Sequence, residues 1–270
     1  MSAERIGNVD GLGAEIAAYW DGRAQTYSNG VIDELSDERH RAWEAVLDEA
    51  LCDLLANAQA EQRQLRVADL GCGPGFFTIL LANKGIAVDA IDGSAHMLEL
   101  ARMNVQSLAP ASSATYCQHD LQRLPYPDET FDACVSRNVT WLMRDPVAAY
   151  AEWLRVLRPG GKLIVFDANW YRYLVSPTVD FKRRADQSST ALEGWDDDSM
   201  ATSDEERRCE LIAEELPLTP VLRPEWDVQT LRSLGVTHVS THKDVWHRLW
   251  TASEQAFYAS SPLFMIEVVK

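Results

Sequence analysis

Runs rich in apolar residues alternate with longer amphipathic stretches along most of this chain. In one such stretch Trp43, Leu47 and Leu54 recur at helical spacing, which predicts a helix with one buried face. Runs of strand length predict buried strands at 67–70, 86–91, 130–136, 163–166, 236–240 and 263–269. Helical patterns predict helices at 39–58, 76–82, 95–107, 145–157 and 225–231.

A glycine-rich turn joins the first predicted strand to the helix that follows it. Its sequence is Asp69-Leu70-Gly71-Cys72-Gly73-Pro74-Gly75. Glycine lacks a Cβ, so the backbone can take unusual dihedral angles and a ligand can lie against it. The G-x-G-x-G spacing follows an acid and precedes no lysine. It therefore differs from the dinucleotide fingerprint G-x-G-x-x-G and from the phosphate loop G-x-x-x-x-G-K-[ST].

Further polar motifs follow the other predicted strands. The second strand ends at Asp92-Gly93-Ser94, and a carboxylate there can accept hydrogen bonds from two ribose hydroxyls. His119-Asp120-Leu121 comes next along the chain. Leu157-Arg158-Pro159-Gly160-Gly161 leads into the predicted strand at 163–166.

Taken in this order, the motifs resemble those of the class I S-adenosylmethionine-dependent methyltransferases of small molecules. The resemblance covers about residues 67–168. It implies an α/β fold with a doubly wound, mostly parallel seven-stranded sheet, the Rossmann-like methyltransferase fold. It also implies S-adenosylmethionine as cofactor and S-adenosylhomocysteine as product, but it does not specify the methyl acceptor.

The resemblance also assigns the cofactor-binding residues. It implies contacts with the methionine end by Asp69, Gly71, Gly73, Gly75, Ser136 and Arg137, with the ribose by Asp92, and with the adenosine by Ser94, Met97, Asp120 and Leu121; Tyr27 lies in an N-terminal segment that covers the cofactor. Structural roles compete with these assignments. Asp69 could cap a loop, Asp92 could cap a helix, Asp120 could be a turn acid, and Met97 could be core.

The acceptor side is less well specified. Asn138, Trp141, Trp170, Tyr171 and Tyr173 are the candidate substrate-binding residues. An aromatic wall there suits a flat or cationic acceptor, although core packing explains the aromatic residues equally well. The sequence does not identify a catalytic residue. The candidates for a catalytic role are Tyr27 and Tyr171. Because a phenol or an enol carbon needs a base, S- or N-methylation is slightly favoured over O- or C-methylation.

The chain divides into an N-terminal cover and helix at 1–58 and a methyltransferase core at 59–270. A lid insertion at about 170–223 interrupts the core. Within it, Ser176 to Leu216 carries twelve acidic and five basic residues, including Asp196-Asp197-Asp198. Such a segment is typical of a solvated helical surface, and its position after a strand's carboxyl end would also place it over the site.

Composition narrows the class of partner. The formal net charge of −16 disfavours a nucleic-acid backbone as substrate. The five cysteines lack C-x-x-C spacing, which favours reduced cytoplasmic thiols and no metal site. No apolar run predicts a membrane span or a signal peptide. We expect a cytoplasmic monomer or homodimer that acts on a small molecule.

Two other classes of function stay open on the sequence. One is a protein that binds S-adenosylmethionine in a role other than methylation, or that transfers a different part of it. The other is a nicotinamide-dependent oxidoreductase on a related fold, which the glycine spacing disfavours.

Overall fold

The computed structural model describes residues 9–192 and 201–270, as helices packed against a single sheet. The helices are α1 (Val9–Ser36), α2 (Arg39–Ala60), α3 (Phe76–Asn83), α4 (Ala95–Leu108), α5 (Pro146–Val156), α6 (Pro177–Leu192), α7 (Ser203–Glu214), α8 (Glu225–Ser233), α9 (Trp246–Leu249) and α10 (Ala252–Phe257). The strands are β1 (Arg66–Leu70), β2 (Ala87–Asp92), β3 (Thr115–Gln118), β4 (Phe131–Arg137), β5 (Leu157–Asp167), β6 (His238–His242) and β7 (Phe264–Val269).

The seven strands form one mixed sheet in the order β3-β2-β1-β4-β5-β7-β6. The pairs β1–β2, β1–β4, β2–β3 and β4–β5 are parallel, whereas β7 runs antiparallel to both β5 and β6. The predicted fold, a doubly wound and mostly parallel seven-stranded α/β sheet, is confirmed. The chain winds outward from β1 to β3 and then returns to β4 on the other side of β1. The direction of winding therefore reverses between β1 and β4, where ligands bind in open α/β sheets.

Successive residues of the central strands point to opposite faces, so helices cover the sheet on both sides. On one face Val67 and Val135 pack with Trp43 and Phe77 of α2 and α3. On the other face Ala68 and Cys134 join the cluster that contains Trp153 of α5. The predicted strands and helices occur within about two residues of their expected ends, except that β5 begins earlier, at Leu157, which pairs with Phe131.

The N-terminal cover contains a continuous helix from residue 9 to residue 36, despite glycines at positions 11, 13, 22 and 30. Contacts with α2, α3, α4 and α7 offset the weak helical propensity of glycine. Residues 1–8 of the predicted cover lie outside the described residues.

The insertion is helical where it is described, and it forms α6 and α7. Cys209, Ile212 and Ala213 of α7 are buried, in a cluster with Tyr19 of α1. Asp196-Asp197-Asp198 lies outside the described residues. Within residues 9–192 and 201–270, no helix combines the length and apolar character that crossing a bilayer requires. The same residues contain no cluster of three or more His, Cys, Asp or Glu side chains that could hold a metal ion.

Candidate active site

A cavity of about 520 Å³ lies where the sheet reverses its winding, at the carboxyl ends of β1, β2 and β4. Backbone from the glycine turn forms one side, and helix α1 covers the opposite side. The residues that line this first cavity are Gly13, Ala14, Ile16, Ala17, Trp20, Tyr27, Gly71, Gly73, Asp92, Gly93, Ser94, Met97, Gln118, His119, Asp120, Leu121, Gln122, Arg137, Asn138, Val139, Leu142, Met143 and Arg144.

Two glycines of the turn have left-handed backbone for different reasons. Gly71 has a φ of 69°, and a Cβ there would come within 2.4 Å of Val139 Cγ2, so packing against the segment after β4 requires glycine. Gly73 has a φ of 51°, and a Cβ there would meet only Tyr27 Cε1, at 3.7 Å. The space in front of Gly73 therefore belongs to the cavity, and a side chain at this position would occupy it.

Asp92 at the end of β2 holds the glycine turn and the start of α4 together. Its Oδ2 accepts a hydrogen bond from the Gly73 amide at 2.9 Å, and its Oδ1 accepts one from the Ser94 amide at 2.8 Å. Burial raises the pKa of Asp92, against the opposing effect of these amides. The carboxylate is thus fixed in orientation while its residue lines the cavity.

Asp69 lies behind the cavity rather than along it. It is buried, and its Oδ2 accepts a hydrogen bond from the Thr78 hydroxyl at 2.6 Å, which ties β1 to α3. Burial raises the pKa of Asp69 to about 7, although the bonds from Thr78 oppose the shift. The structure thus ties this carboxylate to α3, and a cofactor contact by Asp69 stays a prediction.

Helix α1 contributes a carboxylate that the sequence did not reveal as important. Asp21 Oδ1 accepts hydrogen bonds from Ser94 Oγ and from the His96 amide. Ser94 Oγ in turn accepts from the Met97 amide at 3.0 Å and caps α4. An acid at the start of a helix is favourable because it compensates free amides and the helix dipole.

The far end of the cavity carries an ion pair. Asp120 Oδ2 accepts a hydrogen bond from the Arg144 guanidinium at 2.7 Å, and its Oδ1 accepts from the Gln122 amide at 3.0 Å. Leu121 is buried beside it, and its carbonyl accepts from Trp153 Nε1. Asp120 therefore has an arginine partner already in the protein, which the sequence did not indicate.

Arg137 at the end of β4 faces the core with its charged group. Its guanidinium is paired with Glu34 of α1 at 2.8 Å and lies 4.4 Å from the Trp43 ring centroid and 4.2 Å from that of Phe76. Arg137 also lines the first cavity. Ser136 beside it is fully buried, and its Oγ has no hydrogen-bond partner among the described residues.

Nine of the twelve predicted cofactor residues therefore line one cavity, and three do not. The nine are Tyr27, Gly71, Gly73, Asp92, Ser94, Met97, Asp120, Leu121 and Arg137. Asp69, Gly75 and Ser136 lie outside its lining; Gly75 begins α3 with a φ of 100° and faces Ala101 of α4. Cofactor contacts by these residues stay predictions.

A second cavity, of about 320 Å³, adjoins the first beneath α1 and the insertion. The two cavities have Trp20, Tyr27 and Asn138 in common. All five predicted substrate residues line the second cavity: Asn138, Trp141, Trp170, Tyr171 and Tyr173. Its lining residues are Tyr19, Trp20, Arg23, Tyr27, Asn138, Trp141, Trp170, Tyr171, Tyr173, Arg183, Gln187, Ala201, Glu206, Cys209, Glu210, Phe257, Tyr258, Ser260 and Ser261.

The phenols of the second cavity are neutral hydrogen-bonding groups. The Tyr171 hydroxyl donates to Cys209 Sγ at 3.0 Å, and the Tyr173 hydroxyl donates to Glu210 Oε1 at 2.9 Å. Burial raises the pKa of Tyr171, and it also raises that of Tyr27. Because both groups keep their protons at neutral pH, Tyr27 and Tyr171 can donate hydrogen bonds but are poor bases.

A buried ion network holds one wall of the second cavity in place. Asp167 at the end of β5 accepts from the Trp141 amide at 3.0 Å and from the Arg223 guanidinium at 2.7 Å. Arg223 also pairs with Asp227 of α8 at 2.8 Å, and all three charged groups are buried. Trp141 is thereby fixed on a fully hydrogen-bonded support.

Sequence reasoning missed the part of the second cavity that follows β6. Phe257, Tyr258, Ser260 and Ser261 lie between β6 and β7. Since β7 is antiparallel to β5 and to β6, the carboxyl end of β6 lies at the same edge as the site. Trp246 and Trp250 precede these residues, and the dense run of aromatic residues after a strand end was the available signal.

Comparison with known proteins identifies the domain. A family described as the methyltransferase domain matches residues 68–165. Malonyl-[acyl-carrier protein] O-methyltransferase of Serratia marcescens is 34% identical over 99 residues, which is 37% of this chain and 36% of that protein. Over residues 68–165 the chain is therefore similar to S-adenosylmethionine-dependent methyltransferases. The predicted family, its enzyme class and its cofactor are confirmed for this domain.

The relatives differ in what they methylate. Phosphatidylethanolamine N-methyltransferase of Cereibacter sphaeroides is 29% identical over 166 residues, covering 60% of this chain and 78% of that protein. The chain spans only about a third to two fifths of the length of the first curated relatives that it matches. The fold is shared with phosphoethanolamine N-methyltransferase 2 of Haemonchus contortus bound to S-adenosylmethionine, at a TM-score of 0.50 and 15% identity over 77% of this chain and 49% of that one.

Proposed function

We propose that this protein transfers the methyl group of S-adenosylmethionine, held in the first cavity, to a small molecule held in the second. One observation carries the proposal: the two cavities meet at Trp20, Tyr27 and Asn138. A transfer between two bound molecules requires that their sites adjoin. Among the described residues, these three line both cavities.

The first cavity fits the cofactor by size and by chemistry. Its volume of about 520 Å³ lies within the usual range for ligand sites. Gly73 leaves room for the methionine end, and Asp92 offers fixed carboxylate oxygens to the ribose. Asp120 and Leu121 line the far end, where the adenine would lie in this proposal. Asp69 would act through the electrostatic field or a bridging water, since its side chain lies behind the lining.

Methyl transfer from a sulfonium needs position more than proton chemistry. The bound cofactor supplies an electrophilic methyl carbon and a neutral thioether leaving group. The protein holds the acceptor in line with that carbon and keeps water out, which together can contribute several kcal/mol, of the order of 7–11 at the upper end. Because the nearby phenols of Tyr27 and Tyr171 keep their protons, the site favours an acceptor that already has a free lone pair. That supports S- or N-methylation over O- or C-methylation.

The second cavity favours an acceptor with a flat apolar body. Nine of its lining residues are aromatic, and the rings of Trp141 and Tyr171 lie with centroids 4.7 Å apart and planes inclined by 38°. Glu206 and Glu210 add acidic groups, while Arg23 and Arg183 are paired with Glu205 and Asp180. This combination supports a neutral or cationic aromatic molecule as the acceptor.

Radiolabelled methyl transfer tests the proposal directly. Purified protein is incubated with methyl-tritiated S-adenosylmethionine and panels of aromatic amines, thiols, phenols and carboxylic acids. We expect labelled product from the amine or thiol panel. Gly73→Val serves as the matched inactive variant, since its added side chain would enter the first cavity beside Tyr27.

Two results would contradict the proposal, and each would favour a different function. Tight binding of S-adenosylhomocysteine with no label transferred from any panel would favour a binding protein of another role. Tighter binding of NAD than of S-adenosylhomocysteine in a calorimetric titration would favour an oxidoreductase.

We further infer that the segment 1–58 and the insertion at about 170–223 act as covers over a core at 59–270. Helix α1 lines both cavities, and α6 and α7 line the second. The five free thiols support a cytoplasmic location. The formal net charge of −16 supports partners other than nucleic acids, and we propose a monomer or homodimer.

A further inference from the structure

Asn138 lies at the junction of the two cavities in an uncommon backbone conformation. Its φ is 59°, a left-handed value that few residues other than glycine adopt. The conformation is fixed on both sides, because the Asn138 amide donates to the Phe166 carbonyl at 2.8 Å and its carbonyl accepts from Trp141 Nε1 at 3.0 Å. Strained backbone that neighbours hold rigidly is typical of functional sites.

The side chain of Asn138 presents an unused hydrogen-bond acceptor. Its Oδ1 is buried and has no partner among the described residues. Asn138 also lowers the pKa of the neighbouring Tyr27 hydroxyl, against the larger effect of burial. The oxygen of the Asn138 side chain is available to another donor.

We propose that Asn138 Oδ1 accepts a hydrogen bond from the N–H of a neutral amine, and so positions the nucleophilic nitrogen for methyl transfer. This inference rests on the proposed function and narrows it to N-methylation. A buried carbonyl oxygen without a donor is costly, so the molecule that completes the site must bring a hydrogen. A thiolate or a carboxylate has no hydrogen to give, whereas an amine has an N–H and a separate lone pair.

The electron balance of the step favours this geometry. The nitrogen lone pair forms the new bond to the methyl carbon, and the carbon–sulfur bond breaks with its pair left on sulfur. The nitrogen gains positive charge as the bond forms, so its N–H···Oδ1 bond becomes charge-assisted and strengthens towards the transition state. The product ammonium passes its proton to water after release. A hydroxyl acceptor would have to lose its proton during transfer, and the protonated phenols nearby are poor bases.

Sinefungin tests this placement without a known acceptor. This cofactor analogue carries an amine on carbon in place of the methyl on sulfur, so its N–H groups occupy the point of transfer. Calorimetry compares sinefungin with S-adenosylhomocysteine, which lacks any group there. We expect Asn138→Gly to weaken sinefungin binding by about tenfold and S-adenosylhomocysteine binding by less than about twofold. Asn138→Asp, which keeps an acceptor oxygen, should retain the preference for sinefungin.

Glycine is the informative replacement because it tolerates the left-handed backbone. Gln62 has a φ of 54° and an exposed side chain, so Gln62→Gly reproduces the same backbone change outside the site. Equal loss of both ligands in Asn138→Gly would overturn the inference and assign Asn138 to holding the cofactor's common part. Unchanged binding of both would also overturn it. Failure of the unaltered protein to bind either ligand would instead overturn the proposed function.

A kinetic experiment adds a second readout. With tritiated cofactor and tyramine, tryptamine and thiophenol as probes, we expect label in the two amines and a lower kcat in Asn138→Gly at little-changed cofactor KM. The rate should rise with pH towards about 10, as the amines lose their protons. Label found in thiophenol alone would overturn the inference while leaving methyl transfer itself established.

Discussion

The two cavities adjoin each other but are built by different means. The first joins glycine backbone at Gly71, Gly73 and Gly93, where Asp92 fixes the turn through backbone amides, to a wall of side chains from α1 and from the segments after β3 and β4. The second is formed by large side chains, nine of them aromatic. Backbone can present the same donors to one cofactor in many proteins, whereas side chains can change without altering the strands beneath them. We therefore propose that the turn binds the cofactor and that the covers select the acceptor.

Helix α1 is the element that joins the two regions. It reaches the start of α4 through Asp21, the end of β4 through Glu34, and α7 through the ion pair of Arg23 with Glu205 at 3.2 Å. A change in the position of α1 would therefore alter both cavities together. This connection gives a structural route by which cofactor binding could organise the acceptor site.

The sharpest separation of the two cavities comes from Gly73→Val. The added side chain would fill the gap between the turn and Tyr27, so we expect cofactor binding to fall by more than about a hundredfold. Gly85→Val is the matched control, because Gly85 has a φ of 74° with no atom near its added Cβ. Calorimetry with S-adenosylhomocysteine and thermal unfolding measure both variants. Cofactor affinity that falls equally in the two would assign the effect to backbone strain alone.

Asp92→Ala should weaken cofactor binding by about ten- to a hundredfold, through the loss of hydrogen bonds to a charged acceptor. It should also loosen the turn, since the Gly73 and Ser94 amides lose their partner. Asp92→Asn keeps one acceptor oxygen and should lose less. The measurements are cofactor affinity and the midpoint of thermal unfolding without ligand. A collapsed midpoint with intact affinity would show that the carboxylate only caps the loop.

Asp69, which lies behind the first cavity, makes the stability of the folded protein depend on pH. Its pKa is about 7 in the folded protein against 3.8 for an ordinary aspartate, so the folded state binds more protons between these values. Stability therefore falls as pH rises from about 4 to 7, by about 2 kcal/mol between pH 5 and 7. Urea unfolding should show that Asp69→Asn removes this fall, whereas the exposed Asp128→Asn should not. A pH profile unchanged by Asp69→Asn would refute the assignment.

Trp170→Leu tests whether the second cavity binds the acceptor independently of the cofactor. Trp170 lines the aromatic cavity and contacts Tyr258, with ring centroids 5.7 Å apart. We expect the KM of the acceptor to rise by about tenfold, with cofactor affinity changed by less than about twofold. Trp226→Leu removes a comparable tryptophan that packs near Tyr150, away from both cavities. Loss of cofactor affinity in Trp170→Leu would mean that the two regions are not separable.

The glycines show where prediction from sequence succeeds and where it stops. Glycine at alternate positions after a buried strand predicts a turn that a ligand can approach, because that property depends on the residues themselves. Sequence could not tell that Gly71 accommodates Val139 while Gly73 borders open space. Asp69 and Asp92 are both acids at strand ends, but only Asp92 lines the cavity, since Thr78 turns Asp69 towards α3.

The sequence by itself determined the order of strands and helices, the family and the cofactor, because each depends on local periodicity or on a short contiguous motif. Tertiary structure alone decided the second cavity, which is the proposed acceptor site. Its wall combines Tyr19 with Trp141, Trp170, Cys209 and Tyr258, which are far apart along the chain. No local pattern relates such residues; they meet because the sheet brings its carboxyl ends to one edge, where α1, the insertion and the segment after β6 converge.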